Sequence, residues 1–261
     1  MTDGTTLLSE RDGGVLTLTL NRPKANAFDQ ALVDALLDAL RQAESDASVR
    51  CIVLTGAGRV FSAGQDVSVL GAVEGGVSFR RHLERTYNRL ILRLRRLEKP
   101  IVCAVNGAAA GAGLGIALAT DIRLAARSAR FVFGFSGIGL TTDSATSLTL
   151  PVLIGLGRAL EMAFTNDPLS AEQALAFGLV NRVVDDGELM AETSALAARL
   201  AAGPTRALGL TKRAFNRAVL GDLEATLDYE SHLQETAGHT EDHREGVRAF
   251  LEKRQPQFHG V

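Results

Sequence analysis

Strand and helix patterns that alternate through the first half of the chain, followed by helix alone, predict an α/β fold with a helical C-terminal region. Three observations lead there. Short runs of strand length recur at "VLTLTLN" (15–21), "CIVLTG" (51–56) and "IVCAVNG" (101–107), apolar throughout or alternating and each ending at a turn signal. A helical period lies between the first two, with Leu32, Leu36 and Leu40 joined by Val33 and Leu37. After about residue 144 the periodic segments are mostly helical, at 144–154, 157–165, 170–177, 187–202, 205–219, 222–237 and 240–253.

Taken in order, "VLTLTLN" is a strand that stops at Arg22-Pro23-Lys24, and 28–45 is a helix. "CIVLTG" is a buried strand that runs into the glycine-flanked loop "GAGRVFSAGQD" (56–66). Residues 78–97 read as one helix, strongly basic on one side through Arg80, Arg81, Arg85, Arg89, Arg93, Arg95 and Arg96. Pro100 halts it, because proline has no N–H to continue the ladder. The glycine-alanine stretch 107–115 opens a further helix, and "DIRLAA" and "RFVFG" are short strands. With no low-complexity stretch or linker in view, the expected division is a core over 1–200 and a helical region over 201–261.

A chain of 261 residues has ample length to bury a core, and its formal charge of −2 gives no electrostatic reason to expect nucleic acid or an anionic membrane as partner. Cys51 and Cys103 each lie in an apolar strand, the pattern of buried free thiols in a reducing compartment. The polar start lacks the apolar segment of a secretory signal, and no apolar run is long and unbroken enough to span a bilayer, so a soluble cytoplasmic protein is expected.

Two loops and one acid are the chemical candidates. "GRVFSAGQD" (58–66) and "NGAAAGAGLG" (106–115) each follow a buried strand, and small residues there leave backbone N–H groups unshielded. The second opens a helix, whose first N–H groups lack partners. Together they could form an oxyanion hole, or serve only close packing and tight turns. The G-x-G-x-x-G spacing of a dinucleotide site fails at Gly111, Gly113 and Gly115. Asp143 is the one ionisable residue between Arg130 and Arg158. It either caps the helix that begins near Ser144 or titrates at raised pKa in apolar surroundings as an acid/base. His239 and His243 lack the glutamate placement of a zinc protease, and His82 on the basic helix faces either solvent or the pocket mouth, with a plain surface role as the default.

"NRPKANAF", "GRVFSAGQD", "KPIVCAVNGAAAGAGLGIALATDIRLAA", "LSAEQALAFGLVNRVV" and "FLEKRQPQF" stand in the order found in the enoyl-CoA hydratase/isomerase (crotonase) superfamily, which the chain resembles from about residue 7 to 258. The resemblance implies a spiral of ββα units with a helical C-terminal trimerisation region, an acyl-CoA thioester substrate, a homo-trimer or homo-hexamer, and no metal or redox cofactor. It implies N–H donors to the thioester oxygen at Ala63 and Ala112. Ala63, Gly64, Gln65, Asp66 and Gly111 fall on substrate-contacting backbone, and Lys24 and Lys253 at basic contacts to coenzyme phosphates, a role also open to Lys212. Phe133 and Phe135, with Val67 and Leu70, are expected in the acyl pocket.

The two hydratase glutamates of that family correspond here to Gly115 and Phe135, neither of which moves a proton. The stretch around Asp143 resembles that of isomerase members, in which an aspartate shuttles a proton. The expected activity is therefore an acyl-CoA isomerase that shifts a double bond or rearranges a ring epoxide through a thioester enolate. Two alternatives remain. One is hydrolysis like that of 4-chlorobenzoyl-CoA dehalogenase, with Asp143 as nucleophile, although its activating histidine corresponds to Asn88 here. The other is a non-catalytic acyl-CoA-binding member.

Overall fold

The computed structural model describes residues 5–23, 25–67 and 78–261. Among them, the larger sheet places β1 (Leu7–Asp12), β2 (Val15–Leu20), β3 (Cys51–Gly56), β5 (Ile101–Val105), β7 (Ile122–Ala126) and β10 (Arg182–Val184) side by side. Only β1–β2 is antiparallel. The smaller sheet places β4 (Val60–Ser62), β6 (Ala108–Ala110), β8 (Arg130–Val132) and β9 (Leu169–Ser170) in a row. From β3 to β8 successive strands alternate between the sheets. Each turn of the chain thus lays one strand in each sheet before a helix, which is the expected ββα spiral.

Burial follows from that arrangement. Parallel strands are covered on both faces, and β3 and β5 are buried at every position. Helix α1 (Gln30–Ser45) covers one face through Leu32, Val33, Leu36 and Leu40, its start fixed by Asp29, whose carboxylate accepts from Leu32 N at 2.9 Å. Cys51 and Cys103 are free and buried, and burial pushes both thiols up to about 12, which leaves them unreactive. No helix among the described residues is long and apolar enough to cross a membrane.

The expected helix over 78–97 is two helices, α2 (Phe79–Arg85) and α3 (Tyr87–Arg96). Between them Thr86 is buried at φ −113° and ψ −92°, and its hydroxyl donates to the His82 carbonyl at 2.6 Å. A side-chain hydroxyl competing for a helix carbonyl favours such a break. The sequence pattern also passes over β1, β4, β6, β9 and β10. Four of these are two or three residues long, and β1 exposes all but its first residue.

The remaining helices are α4 (Ala112–Leu118), α5 (Thr146–Ile154), α6 (Leu156–Thr165), α7 (Ala171–Phe177), α8 (Leu189–Ala202), α9 (Thr205–Val219), α10 (Leu223–Gly238) and α11 (Glu241–Glu252). The face of the larger sheet opposite α1 is closed by α8, through Leu189, Leu196 and Ala197. Helix α10 lies against α2 and α3. The Asn88 amide donates to Leu227 O at 3.3 Å and Ser231 Oγ at 3.0 Å, and Arg80 N donates to Glu235 at 2.8 Å.

Candidate active site

The chain leaving β4 turns at Gly64, with φ +86°, where a Cβ would come within 2.7 Å of the Ala110 carbonyl. Only glycine tolerates both conditions. All but one of the backbone N–H groups in this turn have a partner. Ala63 N donates to Ala25 O at 3.0 Å, Gly64 N to Ser62 Oγ at 3.1 Å and Asp66 N to Phe28 O at 2.9 Å. The Gln65 N–H has no partner among the described residues. Because Gly64 O and Asp66 N both face Phe28, the alternation of extended backbone turns the Gln65 N–H to the opposite side. On the second loop Gly111 N donates to Val132 O at 3.2 Å, and the next N–H, that of Ala112, has no partner among the described residues.

One of the two expected donors is thereby corrected. The Ala63 N–H is committed to Ala25, and the unspent N–H of that loop belongs to Gln65. Ala112, the other expected donor, occupies the first position of α4.

Both loops open on a cavity of about 290 Å³ walled by Phe79, Leu83, Phe135, Ile138 and Leu140, with Ala63, Gln65, Gly111 and Ala112 at its lining. Asp143 is the one carboxyl among the described lining residues, and it is 6% exposed. Burial pushes its pKa up to about 6, against the opposing pull of hydrogen bonds from Ser144 Oγ at 2.7 Å and Gln234 Nε2 at 3.2 Å. It does not cap α5 with its side chain. Its carbonyl accepts Thr146 N at 3.0 Å, while its carboxylate turns to Ser144 and Gln234.

Gln65 also anchors a polar cluster in the lining. Its Oε1 accepts from the buried Tyr87 hydroxyl at 2.6 Å and lies 3.0 Å from His82 Nε2. An amide oxygen only accepts, so Nε2 carries the proton in that contact. Burial lowers the His82 pKa and holds that of Tyr87 well above its ordinary value. His82 is thus a cavity residue rather than the surface residue expected.

The other expected residues divide. Val67 lines the cavity, whereas Phe133 packs edge-on against Phe135, with centroids 5.0 Å apart. Gly115 lies so close to the turn after Asp143 that a Cβ would stand 2.5 Å from Ser144 Cβ. Asp66 is buried beside Arg22, 3.2 Å from its guanidinium. Lys253 is exposed at the end of α11, three residues beyond the lining residue Phe250. Lys212 is spent on Asp121 at 3.0 Å and on the Leu94 carbonyl at 2.8 Å, which removes it from coenzyme binding. His243 is buried against the Ile138 carbonyl, and no metal-binding cluster forms among the described residues. Lys24 and Leu70 lie outside the described residues.

Gln234, Tyr87 and Glu230 escaped the sequence reading. A signal existed for two of them. The buried stripe of α10 runs Leu223, Leu227, Glu230, Ser231, Gln234, so both polar residues continue the helical period set by its leucines.

The sequence pattern of the enoyl-CoA hydratase/isomerase family matches residues 10–261. The chain belongs to that family. Over 257 residues, the Escherichia coli (strain K12) 1,2-epoxyphenylacetyl-CoA isomerase is 47% identical, with 97% of this chain and 98% of the relative covered. A 4-chlorobenzoyl coenzyme A dehalogenase-2 of Arthrobacter sp is 38% identical over 224 residues, covering 85% and 81%. Among solved structures, an enoyl-CoA hydratase from Mycobacterium avium subsp. paratuberculosis K-10 superposes with a TM-score of 0.89 at 34% identity, covering 98% of this chain and all of that one. As a member of the enoyl-CoA hydratase/isomerase family, the chain is an acyl-CoA-processing enzyme. Relatives bearing isomerase, hydratase and dehalogenase names all match it in sequence.

Proposed function

We propose that this enzyme is an acyl-CoA isomerase that shifts a double bond, or rearranges a ring epoxide, by one-base proton transfer. The observation that supports this reading most is a buried carboxyl, the one among the described lining residues of an apolar cavity, with a pKa near 6. A base that must both take and return a proton works best when its pKa lies near the working pH. Asp143 removes a proton from a carbon near the thioester and returns it at another carbon, so that it ends as it began. The enolate oxygen formed between these steps is held by the N–H groups of Gln65 and Ala112, both turned from ordinary backbone pairing. Hydration by two carboxylates is disfavoured by Gly115 and Phe135. The isomerase name of the 47% identical relative supports the same choice.

No resident metal or redox group enters this scheme, since coenzyme A arrives as part of the substrate. The exposed apolar residues Leu156 and Phe164 on α6 and Phe215 on α9 suit the trimer or hexamer implied by the resemblance.

Hydrolysis through an aspartyl ester has one feature in its favour, a histidine in the same cavity as Asp143. That residue is His82, because Asn88 turns to Leu227 and Ser231. The deciding experiment replaces Asp143 with Asn and assays 3-enoyl-, 2-enoyl- and haloaryl-CoA thioesters. Wild-type protein should generate the absorbance of a conjugated thioester from a 3-enoyl-CoA, and D143N should not. Full turnover by D143N would refute the reading, and a covalent aryl ester trapped on wild-type protein would favour hydrolysis.

A further inference from the structure

Helix α5 begins at Thr146 without a side-chain cap from its own neighbourhood. Helix starts leave N–H groups unsatisfied, and a nearby Asp or Ser usually accepts them. Asp143 and Ser144 stand at the right place in the chain, yet their side chains bond each other. The cap comes instead from α10. Glu230 accepts Ala145 N at Oε2 (2.7 Å), and Ser147 N (2.9 Å) and Ser147 Oγ (2.5 Å) at Oε1. Both of its oxygens are consumed, and Glu230 is absent from the cavity lining.

Three donors oppose the cost of burying this carboxyl, which is 2% exposed, yet burial prevails and pushes its pKa up to about 7. They also fasten an unusual backbone. Ser144 and Ala145 are consecutive residues with φ +58°, a conformation that costs non-glycine residues free energy and persists only where the surroundings enforce it. Four residues along the same helix, Gln234 completes the grip by accepting Thr141 N at 3.1 Å and donating to Asp143 Oδ2. Helix α10 therefore holds the chain on both sides of Asp143.

We propose that Glu230 is a positioning residue for Asp143: by capping α5 from a distant helix it frees the Asp143 carboxylate from that task and locks the left-handed Ser144–Ala145 turn that presents it to the cavity. The inference rests on the acid/base reading of Asp143, but its geometric part can be examined apart from activity. Glu230 does not touch the substrate. Its contribution passes through main-chain placement, where an error of about 1 Å costs on the order of a hundredfold in rate.

Glu230→Gln is nearly isosteric but sets an amide NH₂ against either Ala145 N–H or the Ser147 donors. Glu224→Gln, an exposed position on the same helix, is the control. Kinetics on the thioester turned over best by wild-type protein should show kcat of E230Q lowered at least tenfold, KM within about threefold, and E224Q unchanged. A crystal structure of E230Q should show residues 144–145 leaving the left-handed region and Asp143 withdrawn from Gln234. Unchanged kcat in E230Q, or a lowered kcat with the 143–147 backbone in place, would overturn the proposal. If wild-type protein turns over no acyl-CoA thioester, the functional reading fails by itself. The crystal structure of E230Q then decides the clamp, a displaced Asp143 upholding it and an undisturbed one refuting it.

Discussion

The loops that expose backbone N–H groups and the turn that carries Asp143 meet at one cavity but are built on opposite principles. The first is local. Gly64 and Gly111 lie directly after β4 and β6, and strand pairing between β4 and β6 brings them together. The second is remote. Residues 141–147 reach their conformation through Glu230 and Gln234, more than eighty positions later. Donors that belong to the main chain can be supplied by any sequence that keeps the turn, whereas one acid in a low-dielectric pocket needs a scaffold that supplies partners to its carboxyl, here Ser144 and Gln234.

The largest expected effect tests the remote half. D143N should lose about 10²–10⁴-fold in kcat while it still binds acyl-CoA, as read by turnover and by equilibrium titration with a non-reactive thioester. Next, Gly115→Ala probes the contact between the halves, since its Cβ would stand 2.5 Å from Ser144 Cβ and 2.8 Å from Thr146 Oγ1. Overpacking there should destabilise the fold by about 1–3 kcal/mol in urea unfolding and lower kcat more than KM, although residue 115 is absent from the cavity lining.

The third prediction concerns pH. Asp143 titrates near 6, above its ordinary value, because burial disfavours its charge. Stability from this site is therefore complete below the ordinary carboxylate range and is lost as pH rises through about 6. D143N, which cannot ionise, should exceed wild-type stability at pH 8 by up to about 3 kcal/mol, with the gain shrinking toward pH 4.5. In wild-type protein kcat/KM should fall below about pH 6 as the base becomes protonated. The smallest effect belongs to the local half. Tyr87→Phe removes one donor from Gln65 Oε1 and should cost about 1 kcal/mol of stability and only a few-fold in kcat.

Most of the fold was legible because helices announce themselves by period. The expected 205–219 matches α9, and 222–237 differs from α10 by one residue at each end. The smaller sheet was harder to read, since "AAA" at β6 becomes a strand only by lying between β4 and β8. In the site, Asp143 and Ala112 were visible as an isolated acid and a helix start. The unpaired N–H of the first loop was expected at Ala63 and lies at Gln65, because the difference depends on which N–H meets Ala25, a contact across nearly forty residues. Glu230 was invisible as a cap because no local pattern links it to α5.

The distance between the clamp and its turn also orders events during synthesis. Ala145 and Glu230 stand 85 positions apart, so at about 5–20 residues per second a ribosome needs about 4–17 s to deliver one after the other. The nascent spiral can close around its sheets in that interval, while the acid remains unsupported. If Glu230 positions Asp143 as proposed, competence arrives only with α10, and a chain released before it would be folded in part but chemically silent.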